Sequence, residues 1–348
     1  MKKLTALALI AITLIACKKE TKTITRVDPK TGKTETVTVE VTPEEAAKPK
    51  AIADSSGVYK QKFLLEKGTT YPLVSYQRDI QSLVSPDGEK LSGTNESTDE
   101  MSLTVNDFQN NIYDLTLNLV GKRMSTTANG KTVSIDTKQA EPKDENLKMQ
   151  YLMSKGMAGS KLNVKMDGYG NIKSITGFDG IYNNLRKAIS GLVKDKKQQD
   201  MVIESFKAGF TEEMLKEQLG KNLKLLPSKG AKIGETWSTS EDIDPSGKLK
   251  QTLNFKLVKV EDGKAEIEVK GTIPAKNDKQ SQNGMTHTMS MSGSQSGKII
   301  IDENTGWLLN QNLTVKTDQK ETLSNGKETK SMTKTSTTSI NINPSYKP

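Results

Sequence analysis

His287 is the only histidine of this 348-residue chain and Cys17 its only cysteine, so few side chains can serve as nucleophile, proton shuttle or soft-metal ligand. Met285, His287, Met289 and Met291 fall at steps of two, which on a strand places all four on one face, opposite Thr286, Thr288, Ser290 and Ser292. Thioether and imidazole ligands suit Cu(I). The same spacing also makes an ordinary sheet face in which methionine fills irregular gaps, and that reading is preferred, so no metal or other cofactor is expected. A Ser-His-Asp triad would have to use His287, which lies among Thr and Ser without the glycines of a nucleophile elbow. No His-Glu-x-x-His, paired-cysteine or phosphate-loop pattern occurs. Two carboxylates ~5 to 9.5 Å apart suffice for glycoside hydrolysis, and 42 acidic residues could supply them. Carbohydrate clefts are usually lined with aromatics, however, and only two Trp and eight Tyr are on offer. No catalytic residue is assigned, and the chain is expected not to be an enzyme.

The chemistry open to Cys17 is set by what precedes it. Lys2 and Lys3 make a positive start, and the mostly apolar run Leu4 to Ala16 ends in Leu14-Ile15-Ala16-Cys17. As a helix that run would be roughly 20 Å long, against a hydrocarbon core of about 30 Å, so it is too short to span a bilayer. The segment resembles the lipobox of bacterial lipoproteins. The resemblance implies a signal peptide over 1–16, cleavage before Cys17, and a cysteine acylated on sulfur and on its new amine. Two or more acyl chains hold a membrane firmly. Lys19-Glu20 resembles the export signal that sends some lipoproteins to the outer surface, so the expected location is the cell envelope, lipid-anchored, at the outer membrane. Lipidation would consume the one thiol, which leaves a domain without disulfides whose stability comes from its core. The formal charge of +9 is spread in singles and pairs, with no basic run and few aromatics between, so nucleic acid is not an expected partner.

Composition divides the rest. Residues 17–57 are rich in Lys, Thr, Glu and Pro and read as a flexible tether behind the acylated cysteine, with enough alternation from Thr34 to Val41 for a transient strand. Folded structure is expected from 58, with an N-terminal β-rich lobe over 58–178, a helical segment over 179–225 and a C-terminal β-rich lobe over 226–348. Period-two patterns carry the lobes: Val74, Tyr76, Ile80 and Val84 on one face of a long strand, then Tyr113 through Leu119, Leu162-Val164-Met166, Leu253-Phe255-Leu257, Ala265-Ile267-Val269, Ile299 to Ile301, and Leu309-Leu313-Val315. Asn129-Gly130 and Asp262-Gly263 suit tight hairpins. Between the lobes the spacing turns to three and four, through Ile181, Leu185, Ile189, Val202, Phe206, Phe210 and Leu219, which predicts amphipathic helices. Thr211 suits an N-cap and Gly220 a stop. The lobes also repeat a sketch: Gly68-Thr69-Thr70-Tyr71 and Gly130 to Asp136 in the first correspond to Gly234-Glu235-Thr236-Trp237 and Gly297 to Asp302 in the second. The expected fold is therefore mainly β with central helices, as two antiparallel lobes or one large curved, incomplete barrel-like sheet packed around the helices.

Phe63 to Tyr71, Gly168-Tyr169-Gly170-Asn171 through Gly177, and Leu226-Pro227 through Gly234-Glu235-Thr236-Trp237 are similar to the landmarks of an uncharacterised family of bacterial envelope lipoproteins. That resemblance implies a location and a β-rich fold but no activity. The order of long strands, central helices and long strands also resembles the lipoprotein carriers whose open barrel holds a lipid chain under a helical lid. Two functions follow as expectations: binding of a lipid or other apolar envelope molecule in a concave sheet, or docking of other envelope proteins through sheet edges. A large apolar cavity would favour the first, and a packed interior with a flat apolar patch the second.

Overall fold

In the computed structural model the described residues are 21–27, 34–40, 49–242, 250–282 and 284–345. Cys17, the leader 1–16 and, of the expected tether, residues 17–20, 28–33 and 41–48 lie outside them. The chain divides into two compact units, Met1–Lys48 and Pro49–Pro348. In the first, β1 (Thr21–Val27) pairs antiparallel with β2 (Thr34–Glu40), which is the stretch whose alternation suggested a transient strand.

The second unit begins at Pro49, ahead of the start expected at 58, because Ala51 and Ile52 have a core to enter. The Ile52 amide donates to the Glu303 carbonyl at 2.9 Å, and Lys62 returns to Ala51 at 3.0 Å. A small hairpin, β3 (Ile52–Ser55) and β4 (Val58–Gln61), carries these contacts.

All remaining strands join one antiparallel sheet. In chain order they are β5 (Thr70–Val84), β6 (Lys90–Gln109), β7 (Ile112–Ala128), β8 (Lys131–Asp136), β9 (Lys161–Asp167), β10 (Ile172–Thr176), β11 (Thr236–Asp242), β12 (Lys250–Glu261), β13 (Lys264–Gln282), β14 (Met285–Asp302), β15 (Leu308–Ser324) and β16 (Thr329–Ile342). The order across the 12-stranded sheet is β10-β9-β7-β6-β5-β16-β15-β14-β13-β12-β11, with β8 also on β7. Of the two expected architectures, the structure is the single large sheet. The halves merge where β16 pairs with β5, from Thr333 opposite Val84 to Ile342 opposite Ser75. The sheet does not close, and β10 and β11 are its ends.

Hairpin chemistry follows the sequence. Asn129, Gly130, Asp262 and Gly263 all take positive φ at two-residue turns, as do Asn110 and Asn111 between β6 and β7. On β5 the core face is the one carrying Tyr71 and Leu73, so the Val74, Tyr76, Ile80 and Val84 face lies outside, with Ile80 exposed. Register explains this: Tyr71 and Leu73 stand opposite Leu103 and Met101 on the face that β7 lines with Tyr113, Leu115 and Leu117.

Among the described residues four helices complete the unit: α1 (Glu145–Met157), α2 (Phe178–Ile189), α3 (Lys196–Gly209) and α4 (Glu212–Leu223). The last three fill the expected helical segment and connect the two ends of the sheet. Thr211 caps α4 as its type suggests, accepting from the Met214 amide at 3.2 Å. The helix runs on past Gly220, because Leu219 and Leu223 are both buried and pull one more turn inward. Ile181, Leu185 and Ile189 of α2 are fully buried; on α3 the fully buried residue is Ile203, with Val202, Phe206 and Phe210 packed at its edge.

Candidate functional site

The concave face of the C-terminal strands is built row by row from their register. Trp237, Phe255, Val269, Gly297, Leu313 and Ile340 stand side by side across six strands, β11 to β16. Trp237 and Phe255 stack with centroids 5.7 Å apart and planes within 12°. Gly297 is required where it stands, because a Cβ there would overlap the Asn312 carbonyl oxygen and lie 2.8 Å from Leu313 Cα. One row toward the base the sheet is sealed by Leu257, Ile267, Ile299 and Ile342.

Facing these rows are the end of α4 and the loop over 224–229, which brings Leu225, Leu226 and Pro227 against the sheet. Gln61 latches that loop. Its Nε2 donates to the carbonyls of Leu223 at 2.9 Å and Gly306 at 3.0 Å, and its Oε1 accepts from the amides of Leu225 at 2.9 Å and Leu226 at 3.1 Å. Between loop and sheet is a solvent-open cavity of about 1100 Å³, just above the roughly 300 to 1,000 Å³ of small-molecule sites.

The polar groups of the cavity are mostly uncharged on the sheet side. Gln251, Gln295 and Gln311 present carboxamides to it. Gln251 Nε2 donates to Gln295 Oε1 at 2.7 Å. At the rim, Lys229 pairs with Glu235 at 3.0 Å, Lys221 with Glu217 at 2.9 Å, and Lys224 donates to Asn171 at 2.8 Å. Further along the same sheet face, toward the strand tips, Asp79 accepts from Ser336, Gln81 and Thr338. Partial burial alone would raise its carboxyl, but these hydrogen bonds outweigh it and hold the group below the usual carboxylate range.

A second cavity of about 480 Å³ lies between α3, α4 and strands β6 and β7. Phe206, Phe210, Met214, Met101 and Leu119 line it, and Asp99 and Lys122, 2.6 Å apart, stand among its lining residues. Gln218 of α4 borders both cavities, so the helix forms a partition between them.

The spacing of Met285, His287, Met289 and Met291 does place them on one face of β14, and that face continues into Gln295, Gly297 and Ile299. They sit on the half-exposed strand tip, beyond the cavity. His287 Nε2 faces Glu321 Oε2 at 3.5 Å, and the Met289 sulfur accepts from Gln319 at 3.8 Å. Among the described residues no three of His, Cys, Asp and Glu are grouped as metal ligands. Sequence reasoning named four strands of the cavity, β12 to β15, but not β11 or β16 and none of its carboxamides; a glutamine between leucines reads as a solvent-facing break, and only the neighbouring strands show Gln311 turned inward.

The model of a family described as "Family of unknown function (DUF6263)" matches residues 110–308. No curated protein matches the chain. Among solved structures, lipovitellin, described for its lipid–protein interactions, shares 11% identity over 80% of this chain and 25% of its own, with a TM-score of 0.37. This chain thus spans about a quarter of the lipovitellin chain. An outer membrane channel from Pseudomonas putida F1 shares 9% identity over 83% of this chain and 99% of its own, with a TM-score of 0.17. Both architectural likenesses are weak.

Proposed function

The chain belongs to this family of unknown function, and on that premise we propose that it is a non-enzymatic, lipid-anchored envelope protein whose concave sheet binds an apolar molecule beneath α4 and the 224–229 loop. The observation that carries the reading is the cavity of about 1100 Å³ floored by Trp237, Phe255, Leu253, Val269, Leu313 and Ile340. Trp237, Phe255 and Ile340 are only half-buried, and apolar surface left facing water forgoes roughly 25 cal/mol per Å². A ligand that covers them recovers that free energy, and the open side gives it a way in. The anchor is Cys17, whose acyl chains hold the protein at the outer membrane.

Titration of the protein with a fluorescent acyl probe, as free acid and as methyl ester, tests this. Trp237 is one of two tryptophans, and the other, Trp307, is buried at the sheet base, so quenching reports the cavity. Saturable binding of either probe, lost in Leu313→Arg, is expected. Absence of saturable binding by both overturns the reading. The alternative, an interaction subunit docking other envelope proteins through sheet edges, has in its favour β11, which pairs only with β12 among the described residues. It predicts that mass spectrometry of protein extracted gently from its native membrane finds retained protein in place of retained lipid.

A further inference from the structure

We infer that this cavity selects an uncharged acyl compound, one whose ester, amide or hydroxyl groups meet the carboxamides of Gln251, Gln295 and Gln311, over a free fatty acid. The inference rests on the reading of the cavity as an apolar-ligand site and adds the chemical class of the ligand. Gln311 carries it. The residue is 8% exposed, stands between Ile299 and Ile342 in register, and lines the cavity. Among the described residues its carboxamide has no hydrogen-bond partner, although buried polar groups nearly always have one. The missing partner is therefore something that enters the cavity. Gln251 is equally buried and uses one N–H on Gln295, which leaves Gln251 an acceptor and Gln295 its amide hydrogens for the same visitor.

Placement gives the ligand its form. Gln311 lies one row toward the base from the apolar row of Phe255, Val269 and Leu313, while Gln295 and Gln251 lie one and two rows toward the tips. Polar contacts thus flank an apolar floor, as a chain with hydrogen-bonding groups requires. Charge decides against the carboxylate. A carboxamide offers donor and acceptor together and matches neutral carbonyls and hydroxyls, whereas a buried anion needs a cation. Among the described residues the sheet face of the cavity has none; at the rim Lys221 and Lys229 are neutralised by Glu217 and Glu235, and Lys224, exposed at the mouth, donates to Asn171 away from the buried carboxamides.

The test compares three probes with the same fluorophore on the full chain at pH 8: a monoacylglycerol, the matching free fatty acid and the matching hydrocarbon. Monoacylglycerol is expected to bind about tenfold more tightly than the acid. Gln311→Leu, close in shape, should cut monoacylglycerol affinity about tenfold, leave hydrocarbon affinity unchanged or tighter, and keep or raise the melting temperature, since an unpaired polar group is removed. Gln295→Leu, at a half-buried position, is a second variant with the same affinity pattern. Equal binding of acid and monoacylglycerol, or monoacylglycerol affinity unmoved in both variants, overturns this inference and leaves the apolar-ligand reading standing. Failure of all three probes to bind overturns that reading as well.

Discussion

Gly170 shows what a single residue does at the base of the sheet. It holds φ at +82°, and a Cβ there would sit 2.6 Å from the Phe63 ring. Gly230 does the same for Val58, whose Cγ1 would lie 2.6 Å away. The extended segment from Val58 to Leu65 thus threads over glycine turns, and the landmarks that marked the family in the sequence meet there. Gly170→Ala is expected to cost about 2 to 4 kcal/mol, combining left-handed backbone strain with overpacking, measured by urea unfolding. In the same turn Asp167 is buried, which by itself raises its carboxyl. Hydrogen bonds from Asn171 and Tyr169 and the Lys173 ammonium at 2.9 Å outweigh this and lower it from 3.8 to about 2. A depressed folded-state value stabilises the fold above pH 3.8, and that stability is lost as pH falls through about 2. Asp167→Asn should therefore cost about 2 kcal/mol near neutral pH, and stability curves of variant and wild type should converge between pH 4 and pH 2. For Cys17, the lipobox reading gives a different test. A serine hydroxyl cannot form the thioether, so Cys17→Ser should leave the protein soluble or uncleaved, and unchanged partitioning into detergent would contradict the anchor.

At the scale of elements, α4 has the most to position, since it separates two cavities and is held at both ends. Glu212 accepts from the Ile175 amide of β10 at 3.0 Å, and Gln61 grips the Leu223 carbonyl. Its neighbour α3 shows the difference between core and cavity wall. Ile203 is fully buried, so Ile203→Ala should cost about 2 to 5 kcal/mol. Phe206 lines the smaller cavity and is half-buried, with its ring 5.1 Å from Phe210 and 6.4 Å from Tyr182. Phe206→Ala should therefore cost less, about 1 to 2 kcal/mol, and thermal unfolding of the two variants side by side decides the order. The sequence pattern made α2 and α4 plain because Ile181, Leu185 and Ile189, and Leu215 and Leu219, repeat at helical spacing. It concealed α1, whose buried residues are Tyr151, Ser154 and Gly156. Small residues mark a close helix contact, not an apolar stripe: a Cβ on Gly156 would lie 3.0 Å from the Leu185 backbone. Asp144, which accepts from the Asn146 amide at 2.9 Å, followed by Glu145, was the available signal.

For the whole molecule, the decisive pairing joins the first and last strands of the large sheet, and alternation could not reveal it. Period two tells which face a residue takes and is silent on which strand lies alongside, so two lobes and one sheet looked alike in the sequence. The seam is made by distant partners: Val74 N donates to Asn343 Oδ1 at 2.9 Å across 269 residues. The first half runs outward from that seam, from β5 to β10, and the second runs inward to it, from β11 to β16, so β5 stands at the seam and β11 at the open end. A chain truncated to 49–348 is expected to keep the unfolding transition of the full protein, since that unit contains the whole sheet and its core. Removal of β16 should instead bare the flank of β5 from Ser75 to Val84 and yield aggregates on size-exclusion chromatography. The seam also sets an order of events in time. Pairings within each half are hairpins between neighbours in the chain, except that β9 returns to β7 across β8 and α1, whereas β5 must wait for residues 333–342 to arrive before its second side is satisfied. Closing so long a loop is entropically slow. A chain that emerges from its N-terminus first therefore keeps one flank of β5 open, with its hairpins already paired, until residues 333–342 have followed.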